Sequence, residues 1–373
     1  MKIDFFRHNL EDADIENVVK VLRGPFLTTG ETVKEFEQRF ACYLSIPHVV
    51  GVTSCTAALH LSLVVAGVGS DDEVITTPMS FIATTNTIEY VGARPVFVDI
   101  EPGTGNIDAA KIEEAITEKT KAIIPVHLYG QLCDMKRIRD IADKHNLSII
   151  EDAAHATEAE RDGYRAGFYG DFSCFSFYAT KNLTSGEGGA IITKNEESAG
   201  LLKKMRLHGM SKNAIERYEK KYEHYDMEML GWKYNMTNIQ AAMMLHQLEK
   251  LERRLQKREK LCRRYEEAFS ELSDVRLLTI LPGVKSARHL FTILVAPGRR
   301  DEIMHGLQEK GIGVAVNFRP IHLMKYYAGK YGYKIGNFPN AEDVGMRTIT
   351  LPLYPNLTYE EQDYVIQTVR DLV

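Results

Sequence analysis

Cysteine is scarce in this sequence. Five residues, Cys42, Cys55, Cys133, Cys174 and Cys262, are an odd number and lie far apart. They supply no disulfide framework and no metal-ligand spacing, and they suit a reducing compartment. Long uncharged apolar runs are missing too, so no segment reads as a membrane span. The net charge of −5 gives no basic excess, which argues against a general binder of nucleic acid or anionic membranes. There are no repeats or low-complexity tracts. The opening MKIDFFRHNLEDAD carries acids and no apolar signal core, so the expected location is cytoplasmic. No G-x-G-x-x-G turn follows the first apolar run, and a dinucleotide-binding dehydrogenase would need one.

What is present is an ordinary globular composition, 44% hydrophobic and 26% charged, in a chain of 373 residues. That length fits a large and a small domain. Strand-like runs alternate with helical stretches: HVVGVT (48–53), EVITTP (73–78), RPVFVDI (94–100), KAIIPVHLYG (121–130), LSIIEDAAHA (147–156), FSCFSF (172–177) and GGAIIT (188–193). Such alternation predicts an α/β fold with a mostly parallel sheet covered on both faces. From Ile239 to about Leu272 a helical stripe of Leu248, Leu251, Leu255, Cys262, Tyr265 and Phe269 predicts one long helix. HLFTILVA (289–296) and GIGVAVNF (311–318) follow as strand candidates with a helix between them, within a smaller α+β unit. The expected division is 1–245 and 246–373, with residues 1–20 able to pack on the smaller domain.

The chemistry is expected where strands end. IIEDAAHA closes an apolar run with Glu151 and Asp152, which alternation sends to opposite faces. A buried carboxylate needs a positive partner to stay ionised; taken alone, Asp152 reads equally well as the N-cap of a following helix. TSCTAAL (53–59) is a strand-to-helix turn in which Ser54 would cap the helix and the Cys55 and Thr56 amides would face an anion. Phe81 follows the next strand, a position where phenylalanine is more often core. Lys181 sits in a Gly-rich turn, 29 residues after Asp152 and just after Ser176. Together these are the parts needed to hold pyridoxal phosphate: a phosphate turn, an aromatic, an aspartate for the ring nitrogen and a lysine for the covalent link.

GPFLTTGETVKEFEQRF, SCTAALHLSL, EDAAHA, FSFYATKNLTSGEGG, RLHGM and GWKYNMTNIQAA resemble, in family order, the motifs of the DegT/DnrJ/EryC1/StrS sugar aminotransferases. The resemblance covers essentially the whole chain. It implies an aspartate-aminotransferase-like architecture (PLP fold type I) and a transaminase that moves an amino group from L-glutamate to a nucleotide-linked sugar. NFRPIHLMKYY and TLPLYPNLT resemble the branch that aminates 4-keto sugars, such as the 4-amino-4-deoxyarabinose aminotransferases. A 3-keto acceptor and a non-catalytic PLP-binding regulator are the alternatives. A third family activity, deoxygenation, goes with histidine at the Schiff-base position, where this chain has Lys181.

By the same resemblance, Lys181 is the Schiff-base lysine and Asp152 the pyridinium partner. His155 lies near the ring hydroxyl, and Phe81 and Ala154 lie on the two ring faces. Ser176 with the Cys55 and Thr56 amides forms the phosphate cup. Asn235, with Lys233 nearby, matches a cofactor-binding residue that reaches the phosphate in the neighbouring subunit, which implies a homodimer with shared active sites. If GIGVAVNF ends at the mouth of the crevice, Arg319, His322 and Tyr326 on the loop that follows would contact the nucleotide sugar; Arg319 reads equally well as the partner of a surface acid and the tyrosine as core of the smaller domain.

Overall fold

The structure of the protein is a computed structural model that describes residues 1–211 and 224–373. Its strands are β1 (His48–Val52), β2 (Glu73–Thr76), β3 (Arg94–Phe97), β4 (Thr120–Ile124), β5 (Ser148–Asp152), β6 (Glu160–Arg161), β7 (Tyr164–Arg165), β8 (Phe172–Ser176), β9 (Gly189–Thr193), β10 (Val275–Leu277), β11 (Val284–Lys285), β12 (Phe291–Val295) and β13 (Thr348–Leu351). The principal helices are α1 (Asp12–Arg23), α2 (Glu31–Leu44), α3 (Cys55–Val65), α4 (Ile82–Tyr90), α5 (Met135–His145), α6 (Glu196–Met205), α7 (Asn238–Phe269), α8 (Arg300–Glu309), α9 (Lys325–Tyr331), α10 (Pro339–Arg347) and α11 (Tyr359–Leu372).

A seven-stranded sheet runs in the order β1-β9-β8-β5-β4-β2-β3. β3, β2, β4, β5 and β8 pair in parallel, whereas β9 is antiparallel to both β8 and β1. The central strands are buried almost throughout because helices cover both faces. α3, for example, buries every residue from Ala57 to Leu63, and each such leucine contributes roughly 1.5–3 kcal/mol. The α/β class expected from the sequence, with a mixed, mostly parallel sheet, is what the chain forms. A smaller antiparallel sheet, β10-β12-β13, carries a second core.

Both cores share α7. Its N-terminus is fixed by a capping box in which Thr237 Oγ1 accepts the Gln240 N–H and Gln240 Oε1 accepts the Thr237 N–H. Leu245, Leu248 and Leu251 enter the first core; Leu261, Cys262, Tyr265 and Phe269 enter the second. The N-terminal segment joins that second core. Ile3 forms a parallel bridge with Ile312, and Arg7 pairs with Glu361 at 2.8 Å.

One strand expectation fails. GIGVAVNF is not a strand. Ile312 bridges Ile3 and Ala315 bridges Thr350, but neither pairing extends. Gly311 sits at φ +81°, in the left-handed region, and a Cβ on Gly313 would stand 2.4 Å from the Phe5 nitrogen. The backbone at both glycines is shaped to admit the N-terminal segment rather than to propagate a ladder.

Candidate active site

The carboxyl ends of β1, β2, β5 and β8 lie at one edge of the large sheet, and β9 begins there. Among the described residues a cavity of about 600 Å³ opens at this edge, a size suited to a small-molecule ligand. Its walls include Cys55, Thr56, Phe81, Asp152, Ala154, His155, Ser176 and Lys181. The structure thus brings together these eight residues from five separate stretches of sequence.

The anion-binding corner is built on α3. Ser54 caps the helix, its hydroxyl accepting the Ala57 N–H at 3.1 Å. The amides of the first turn have no partner within the helix and carry the positive end of its dipole. Gly189 makes the corner possible: a Cβ there would stand 2.4 Å from the Ser54 carbonyl carbon and 2.6 Å from the Cys55 nitrogen. Any side chain at 189 would push β9 off the turn. Ser176, ending β8, is the hydroxyl on the same wall.

Asp152 ends β5 and is 6% exposed. No helix follows it, so the N-cap alternative is removed. Its Oδ2 accepts the Thr84 hydroxyl at 2.7 Å and its Oδ1 accepts the Ala154 N–H at 3.2 Å. Burial raises its pKa above the usual carboxylate range, against those two hydrogen bonds and the nearby Lys181 and His127. A cation facing the carboxylate from the cavity would restore full ionisation.

Lys181 lies in the excursion from β8 to β9. Burial lowers its pKa to about 8, with the charges of Cys55 and Asp152 opposing. A substantial fraction of this amine is therefore neutral near physiological pH. His155 accepts the Tyr129 N–H through Nδ1 at 3.3 Å, and its ring lies 4.5 Å from that of His289. Burial first, and then the Lys181 charge, push both histidines well below the ordinary imidazole range. Phe81 is 58% exposed at the cavity mouth, its ring 6.1 Å from Phe318. It is therefore not the core residue that its position in the sequence would more commonly give.

Other residues are placed elsewhere. Asn235 lies outside the cavity, donating to Thr29 Oγ1 at 2.7 Å, and Lys233 is exposed. Arg319 is exposed, with Nη2 donating to the Leu323 carbonyl. Tyr326 is exposed while Tyr327 is buried and donates to Asn86 Oδ1 at 2.6 Å. His322 corrects the sequence reading. It is fully buried beside Phe338, with Nε2 on Glu342 Oε1 at 3.0 Å, and offers no surface to a sugar. Its loop folds the imidazole inward because Glu342 supplies the acceptor there.

Sequence reasoning missed His289, Thr84, Phe318 and Phe5, all of which line the cavity. His289 lies just before β12, a strand of the other sheet, so no strand-end argument points to it. Thr84 is in the first turn of α4, and its hydroxyl gave no sign of reaching β5.

The sequence profile of the DegT/DnrJ/EryC1/StrS aminotransferase family matches residues 8–370. The spore coat polysaccharide biosynthesis protein SpsC of Bacillus subtilis is 43% identical over 366 residues, covering 96% of this chain and 94% of that protein. The GDP-perosamine synthase of Caulobacter vibrioides is 39% identical over 345 residues, covering 91% and 89%. Among solved structures, Spr1654 of Streptococcus pneumoniae, a proposed sugar aminotransferase, superposes in its PMP form with a TM-score of 0.94 at 35% identity, covering 100% of this chain and 99% of that one. Its PLP form gives a TM-score of 0.93.

Proposed function

Since the chain belongs to the DegT/DnrJ/EryC1/StrS aminotransferase family, we propose that it transfers the amino group of L-glutamate to a nucleotide-linked 4-keto sugar. The product is a 4-amino sugar nucleotide, used to build a surface polysaccharide or glycolipid. The observation that carries the reading is that Lys181 and the buried Asp152 line one cavity beside the α3 turn, where burial lowers the Lys181 pKa to about 8. SpsC and GDP-perosamine synthase, by their names, support the sugar and nucleotide parts of it.

Pyridoxal phosphate is the cofactor, and this cavity fits it. The α3 turn, kept open by Gly189, would hold the phosphate together with Ser176. Asp152 would face the ring nitrogen, Phe81 and Ala154 the ring faces, His155 the ring hydroxyl, and Lys181 would form the covalent link. When bound, the group supplies an electron sink for exchanging an amino group and a proton between two carbons.

The protein's own part is positional and acid–base. Lys181 Nζ holds and moves the proton, and its depressed pKa keeps it competent as a base. Thr84 and Ala154 hold the Asp152 carboxylate in one orientation. Arg319 and Tyr326 are the proposed contacts to diphosphate and base, an arginine fork suiting paired phosphate oxygens. We assign Asn235, with Lys233, to the edge of a partner subunit's cavity in a cytoplasmic homodimer with shared sites.

The test is a panel of UDP-, dTDP- and GDP-linked 4-keto and 3-keto sugars, a free keto sugar and a free keto acid, each with glutamate. The nucleotide-linked 4-keto sugar is expected to show the highest kcat/KM, since remote binding energy raises turnover as well as affinity. Equal use of free keto acids would overturn the sugar assignment, and preference for a 3-keto isomer would overturn the C4 assignment.

A further inference from the structure

The cavity holds two neutral histidines that play opposite parts. We propose that His289, locked as its Nδ1–H tautomer by a chain of Arg258, Glu158 and Asn182, presents a lone pair to Lys181 and accepts a hydrogen bond from the protonated amine. The inference rests on the reading of Lys181 as the working base.

The chain begins on α7. Arg258 is fully buried and reaches the equally buried Glu158, its Nη2 2.5 Å from Oε1. Paired with a guanidinium, Glu158 is an ionised acceptor. Its Oε2 accepts Asn182 Nδ2 at 2.9 Å, and the Ala287 carbonyl accepts the same nitrogen at 3.0 Å. Two groups that only accept fix which end of the Asn182 amide faces them. Asn182 Oδ1 is therefore the atom 3.2 Å from His289 Nδ1. An amide oxygen only accepts, so the hydrogen is on Nδ1. His289 Nε2 carries the lone pair, and it lies 3.5 Å from Lys181 Nζ.

His155 is set the other way. Its Nδ1 accepts the Tyr129 N–H, which leaves the hydrogen on Nε2. The charged and titratable groups around His289 are Lys181, His155 and Arg258, with Glu158 behind Asn182. Those around Lys181 are Cys55, Asp152, His155 and His289. Of these, His289 is the neutral acceptor within reach of the amine. A lone pair there favours the ammonium, so His289 steadies the proton that Lys181 carries between donor and acceptor. A structural role would need only the ring's volume and not one tautomer.

The decisive experiment is long-range proton–nitrogen correlation NMR on full-length protein with 15N-labelled histidine, loaded with pyridoxamine phosphate. His155→Gln and His289→Gln assign the two rings. The expected wild-type result is a protonated Nδ1 and an unprotonated Nε2 on His289, with the reverse on His155. A protonated Nε2 or an imidazolium at His289 overturns the proposal, and this reading needs no variant to be active. Asn182→Ala sharpens it: with the acceptor for Nδ1–H removed, that tautomer is no longer favoured and the Nε2–H form of His289 becomes populated. The pH at which the glutamate half-reaction switches on then falls by up to about one unit, because an N–H facing Nζ disfavours the ammonium. An unchanged tautomer and pH profile in well-folded Asn182→Ala would overturn the locking chain. Borohydride mapping of the cofactor onto Lys181 separates this outcome from failure of the functional reading itself.

Discussion

Glu151 and Asp152 are neighbours on β5, both buried, and they face opposite sides of the sheet. Glu151 is fully engaged. Its Oε2 accepts His127 Nε2 at 2.7 Å, and its Oε1 accepts the Gly167 and Gly170 N–H groups at 3.0 and 2.8 Å. A Cβ on Gly170 would stand 2.5 Å from Oε1, so the loop is built around this carboxylate. Among the described residues Asp152 has only the Thr84 hydroxyl and the Ala154 N–H, and beyond them lies the cavity. The difference teaches how a buried acid can be read. Where its own chain uses all its acceptor capacity, the acid holds structure; where capacity is left over and points into a cavity, the acid awaits a ligand.

That contrast can be broken most strongly on the ligand side. Lys181→Ala is expected to lower turnover by about 10³-fold or more, the scale of a lost acid–base group, while the protein still binds pyridoxamine phosphate in an absorbance titration. In the wild-type protein, borohydride should fix the cofactor to Lys181 in a peptide map. Next is Asp152→Asn, expected to reduce kcat by roughly 10²-fold with little change in Tm, since a neutral amide cannot balance a cationic ring nitrogen. On the other face, Glu151→Gln should leave kcat nearly unchanged but cost about 1–3 kcal/mol in urea unfolding, because its NH2 must confront donors that the carboxylate satisfied. If Glu151→Gln were the inactive variant and Asp152→Asn the unstable one, the contrast would be reversed and wrong.

A smaller effect is carried by pH. The folded pKa of Lys181 is lowered, so between pH 8 and 10.5 the unfolded chain binds more protons than the folded one. Stability of the cofactor-free protein should therefore rise with pH across that window by on the order of 2 kcal/mol. In Lys181→Met this component should vanish, measured as the difference between the two proteins' unfolding free energies. The smallest effects belong to the loop after Val316. Arg319→Ala is expected to raise KM for the nucleotide sugar about fivefold, consistent with one partly exposed ionic contact. His322→Ala should lower Tm and leave KM unchanged.

These regions also differ in how readily the sequence disclosed them. Asp152, Ser176 and the Cys55–Thr56 turn stand at strand ends and Lys181 in the turn-rich stretch after one, where a period of two and a burst of turn residues locate a side chain from local sequence. The mostly parallel sheet was legible for the same reason. His322 and GIGVAVNF were misread because their environment is set by distant chain: Glu342 for the imidazole, and Ile3 and Phe5 for the glycine-rich segment. His289 was invisible because its partners, Asn182 and Lys181, lie more than 100 residues away in sequence.

The N-terminal segment has a consequence for how the chain comes off the ribosome. Ile3 must wait for Ile312, and Arg7 for Glu361. At about 5–20 residues per second, tens of seconds separate the synthesis of these partners. The large sheet can assemble meanwhile, but Phe5, which lines the cavity, cannot take its place until nearly the whole chain has been made. The cavity is therefore completed only after the neighbourhood of Lys181 has folded. A nascent chain arrested near residue 300 would carry Lys181 on a finished sheet, behind a wall still missing its first strip.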